Sequence, residues 1–173
     1  MRLTDIDQLL RRTSQISGST PARQLRDQRN QLAHAAVLLS YARNVLSIDV
    51  GVLQSALGGT IDLQTTVDEL PGILASASIG GGWSLSSDSP IAMASARQAL
   101  QGEAEDMLSA HGRIADMDVR RPESVQRVLD DVEEQLELVA ELRESVERSL
   151  REHQTAIVER YKSGDAHTDD WLD

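Results

Sequence analysis

The chain has 173 residues, of which 40% are hydrophobic and 26% charged, which fits one domain or one small bundle with an extended arm. Its formal net charge is -11, only 2% of its residues are aromatic and phenylalanine is absent, so any core must be aliphatic. Cysteine is absent too, which excludes disulfides, thiolate metal sites and cysteine nucleophiles.

Leucine, alanine and valine in place of aromatics suit close helix-to-helix contacts better than the interior of a sandwich or barrel. The expected fold is therefore all-α: a helical bundle with a long C-terminal amphipathic helix of coiled-coil character. No apolar run approaches the roughly 18 residues that a membrane span needs, and Met1 to Leu10 lacks the charged-then-apolar order of a signal peptide. A cytoplasmic protein, or one built into an assembled particle, is the expectation, with no membrane. Lys162 is the sole lysine, and an acidic, lysine-poor surface also suits a salt-rich cytoplasm.

In chain order, Ile6, Leu9, Leu10 and Ile16 fall near helical spacing over Thr4 to Ile16, and Ser17, Gly18 and Ser19 break the pattern. Thr20 followed by Pro21 is a start signal, because a threonine hydroxyl can accept from orphan amides and proline fits the first helical position. In the helix that follows, Leu25, Leu32, Leu39 and Leu46 recur every seven residues, with Ala35, Ala36 and Ala42 beside them. Arg23, Arg26 and Arg29 lie on the opposite face. Gly58 and Gly59 are the natural stop, and an earlier end near Ser47 to Asp49 is the alternative.

Leu63, Val67, Leu70 and Leu74 suggest a further helix over Ile61 to Ala77, interrupted by Pro71. Residues 78–89, with Gly80, Gly81, Gly82 and several serines, read as a linker between an N-terminal half, 1–77, and a C-terminal half, 90–163. The glycines carry no Gly-Lys-Ser/Thr phosphate-loop signature. Trp83 within them is a candidate docking residue, since an indole gains from folding back or entering a partner's pocket.

Ser89 and Pro90 repeat the cap-plus-proline signal, and Ile91, Ala94, Leu100, Ala104, Met107, Leu108, His111 and Ile114 describe one amphipathic helix ending near Gly112 to Asp118. The last helix is expected from about Pro122 to about Ser163, on the order of 60 Å long at the α-helical rise. Val125, Leu129, Val132, Leu136, Val139, Val146, Leu150 and Ile157 alternate steps of three and four along it, with Arg143 and His153 at two seam positions. Val128, Leu142 and Ala156 widen the stripe, so the helix should meet more than one neighbour. Arg143 is expected to snorkel or to meet an acid on another helix, and His153 to act as a polar register-setting residue.

Residues 164–173 form an acidic tail in which Trp171 and Leu172 are candidate docking side chains. Charge divides along the chain: seven arginines against three acids up to Ser47, four against ten from Ile48 to Arg121, and six basic residues against fifteen acids from Pro122 onward. A basic N-terminal helix and an acidic C-terminal helix are natural partners, within a chain or between chains.

His34, His111, His153 and His167 lie far apart and form no Glu-x-x-His pair, so neither a metal nor any other cofactor is expected, and no serine has a nucleophile-elbow context. The acidic balance disfavours nucleic acid. The sequence therefore points away from catalysis and small-molecule substrates. It favours assembly with protein, either self or another helical protein, through the leucine face and the seam, with an adaptor that docks through its Trp171 tail as the alternative.

Overall fold

The structure, a computed structural model, describes residues 1–14, 16, 20–59 and 98–164. Among them there is no strand, and the fold is an all-α helical bundle. The expected helix over 61–77, the linker 78–89 with Trp83, and the tail with Trp171 and Leu172 lie outside the described residues.

Helix α1 spans Leu3–Thr13 and ends three residues earlier than the spacing predicts. Its end is set by hydroxyls: Thr13 Oγ1 donates to the carbonyls of Leu9 (2.9 Å) and Leu10 (3.2 Å), and Ser14 Oγ donates to that of Arg11 (2.8 Å). Such side-chain bonds compete for the last carbonyls and leave Ile16 beyond the helix.

Helix α2 spans Ala22–Leu57 and begins where Leu25 N–H donates to the Pro21 carbonyl at 3.1 Å. It runs past Asp49 to Gly58 and Gly59, so the later of the two expected ends is the real one. Gly58 N–H and Gly59 N–H close on the carbonyls of Gln54 and Ala56, and Gly59 takes a left-handed φ of 67° that a side chain would strain. Leu25, Leu32, Leu39 and Leu46 are all fully buried, with Ala35, Leu38, Ala42, Val45 and Leu53 beside them. Burying each leucine contributes roughly 1.5–3 kcal/mol before entropy is counted.

One sequence expectation needs correction here. Among the described residues α2 is long and apolar enough, by length and composition alone, to cross a membrane. The stretch qualifies because its leucine face and the alanines beside it carry few charges, and a bundle's core helix has the same composition for a different reason.

Of the single helix expected from Ile91 to about Asp118, residues 91–97 lie outside the described residues, and the part from 98 onward is replaced by shorter pieces. Helical turns over 98–103 stop at Ala104, whose ψ of 7° leaves the helical well; a 3₁₀ turn, Glu105–Leu108, and a one-turn helix α3, Ser109–Gly112, follow. Ala104, Met107, Leu108, Ala110, Ile114 and Met117 are nevertheless buried, so the apolar side of the segment is kept although its helix is broken.

Helix α4 spans Pro122–Ser163, as the sequence predicts. Asp118 prepares its start by accepting the Arg120 N–H at 3.1 Å and pairing with Arg121, while Gly164 ends it with a φ of 78°.

The chain divides into two compact units that share the long helices. One contains α1, α2 up to Val37 and α4 from Glu141; the other contains α2 from Leu38, the 98–121 segment and α4 up to Ala140. In the first, Arg26 meets Tyr161 and Gln28 meets His153, so α2 and α4 run antiparallel there.

Candidate functional site

Val125, Leu129, Val132, Val139, Val146 and Ile157 of the predicted seam are buried, whereas Leu136 and Leu150 are half-buried. The more deeply buried positions on that edge of the stripe are Gln135 and Ser149, one residue earlier in each case. Polar side chains at core positions need partners, and these two have them.

In the unit that holds the middle of the chain, Gln135 acts as a surrogate backbone. Its Oε1 accepts the Ala110 N–H at 2.8 Å, and its Nε2 donates to Ser109 Oγ at 2.8 Å and to the Asp106 carbonyl at 3.3 Å. These groups belong to the break between the helical turns and α3, so α4 supplies the hydrogen bonds that a continuous helix would have made for itself. Replacing Gln135 with leucine is expected to leave the Ala110 N–H unsatisfied and to cost about 1–3 kcal/mol, read as a lower urea midpoint at unchanged slope.

The same unit contains a buried carboxylate. Asp49 on α2 is fully buried, and its Oδ2 lies 2.8 Å from His111 Nδ1 of α3. His111 is about a quarter exposed, with 23% of its side chain open to solvent, while Asp49 Oδ1 is buried with no hydrogen-bond partner among the described residues. A carboxylate in an aliphatic core is tolerated only where something holds it, and here a single imidazole does so. Two rim contacts accompany the pair: Arg113 with Asp131, and Gln54 Nε2 donating to Glu133 at 3.1 Å.

The terminal unit has its own polar layer. His153 is fully buried, with Nδ1 2.7 Å from the Ser149 carbonyl and Nε2 3.3 Å from Gln28 Oε1. A carbonyl only accepts, so Nδ1 carries a proton; the Gln28 amide can turn either its oxygen or its nitrogen toward Nε2. Ser149 Oγ lies 3.4 Å from Thr13 Oγ1, which ties α1 to the same layer. Arg26 donates to the Tyr161 hydroxyl at 2.7 Å with its guanidinium carbon 5.9 Å from the ring centre.

Arg143 follows the first of its two expected courses and snorkels. It is about one-third exposed and pairs at 2.8 Å with Glu147, an acid one turn along its own helix rather than on another one. The half-buried seam edge lets the guanidinium reach outward to this local partner, while its Nε stays buried without a hydrogen bond among the described residues.

Asp49, Gln135 and Ser149 escaped the sequence pattern because polar residues inside an amphipathic helix are read as its solvent side. His111 stood on the predicted apolar face with no partner assigned, and no local signal joins it to a residue sixty positions earlier. Among the described residues no group of three or more potential ligands is placed to hold a metal ion. The arrangement amounts to polar fasteners within helical packing, and among the described residues it leaves Leu57, Leu138 and Val158 as the exposed large hydrophobics. No protein-family model, curated protein or solved structure matches the chain.

Proposed function

We propose that this chain is a non-enzymatic assembly protein, in which a helical frame with coiled-coil character presents helix faces to protein partners, foremost to copies of itself. The observation that carries the reading is the contrast between adjacent residues of α4: Val139 is sealed in the chain's own core, while Leu138 is 43% exposed on the outer face. The seam is then the frame, and the working surface is the face behind it. The buried pairs Asp49 with His111 and His153 with Gln28 fix helix register, a role that polar core residues serve well in helical packing.

The test is the absolute mass of the full chain by light scattering at about 0.15 M salt, where charges are screened beyond roughly 8 Å. A multiple of the chain mass supports self-assembly. A monomer at every concentration overturns it and favours an adaptor subunit, for which deleting residues 165–173 should abolish capture of a partner while leaving the thermal midpoint unchanged.

A further inference from the structure

On α4, Asp130, Glu134, Glu137 and Leu138 are separated by steps of four, three and one, which places all four side chains on one side of the helix. All are exposed, and Leu138 is the most exposed large hydrophobic among the described residues. From Val128 to Leu142 there is no arginine or lysine. Other acids of the helix have partners: Asp131 pairs with Arg113, Glu144 with Arg148, Glu147 with Arg143. Among the described residues Glu134 and Glu137 make no ion pair and no hydrogen bond. Like charges one turn apart, Asp130 with Glu134 and Glu133 with Glu137, cost about 0.2–0.5 kcal/mol each, so this face is repulsive by itself around an apolar centre.

The same chain carries the complementary surface. Arg23 and Arg29 are exposed on the outer side of α2, neither forms an ion pair among the described residues, and they flank Arg26 at steps of three. Arginine suits such a contact, since its planar fork binds carboxylates in pairs and its stem covers apolar surface.

We propose that the face of α4 around Leu138, with Asp130, Glu134 and Glu137, docks against the Arg23 and Arg29 ridge of α2 in a second copy of this chain. The inference rests on the self-assembly reading above and specifies its interface. Because the two surfaces differ, the contact is either reciprocated across a two-fold axis in a dimer or repeated into a ring or a filament. Its charges are exposed, so the association weakens as salt rises toward about 1 M and the screening length falls to about 3 Å.

The experiment is a charge exchange on the full chain, read by light scattering at about 0.15 M salt. One variant carries Glu134→Arg with Glu137→Arg, the other Arg23→Glu with Arg29→Glu. Each alone is expected to fall to the monomer mass with its thermal midpoint kept, and an equimolar mixture is expected to regain the mass of the parent assembly. If the parent chain assembles but either variant alone keeps that mass, or the mixture stays monomeric, this interface is wrong while self-assembly stands. If the parent chain is itself monomeric, both fall.

Discussion

His111→Ala is expected to destabilise the protein by about 3–5 kcal/mol, because it strands a fully buried carboxylate with no remaining partner. The cost comes from desolvation more than from a lost attraction. Asp49 already has one oxygen without a donor, and removing the imidazole leaves the second in the same state. The double replacement Asp49→Leu with His111→Leu removes the charge together with its partner and should be far milder than the single change, close to neutral where the new side chains pack. Chemical denaturation of the parent and the two variants measures this directly. A single variant no worse than the double would show that His111 does not hold Asp49.

Val139→Asp and Leu138→Asp should differ widely although the two residues are adjacent on α4. Val139 is fully buried, so an aspartate there carries an unpaired charge into an aliphatic core and should cost several kcal/mol, enough to unfold a protein of ordinary marginal stability. Leu138 is 43% exposed, and an aspartate there, which adds a like charge beside Glu134 and Glu141, should cost only about 1 kcal/mol of folding stability. Circular dichroism melts of both variants decide the matter. Comparable losses at the two positions would mean that Leu138 is covered and that the outer face of α4 is not a free surface. For the same reason, a variant that combines Leu136→Asp with Val139→Asp would report on the chain's own fold rather than on assembly.

The long helices were legible because their signals are local. Thr20 with Pro21, the Gly58 and Gly59 pair, Pro122 and Gly164 are start and stop chemistry that acts within a few residues, and α2 and α4 begin and end at or beside them. The heptad leucines of α2 were equally legible, and every one of them is buried. The unbroken helix expected through His111 was wrong, since local periodicity cannot register that Gln135, twenty-five residues beyond Ala110, takes over the backbone bonds at the break.

The sequence by itself determined the helical class, the start of α2, both ends of α4 and the apolar stripe of each, because a helix's period and caps depend on neighbours along the chain, while the structure chose the later of the two ends that the sequence left open for α2. Tertiary structure alone decided which edge of the α4 stripe is sealed. An amphipathic stripe is wider than a single contact line, and the edge that faces another helix follows from how the helices cross. That crossing seats Gln135, Ser149 and His153 inside, leaves Leu136 and Leu150 half-covered, and turns Leu138 outward. It also brings Asp49 to His111, since pairing distant polar groups requires a fold that places one beside the other.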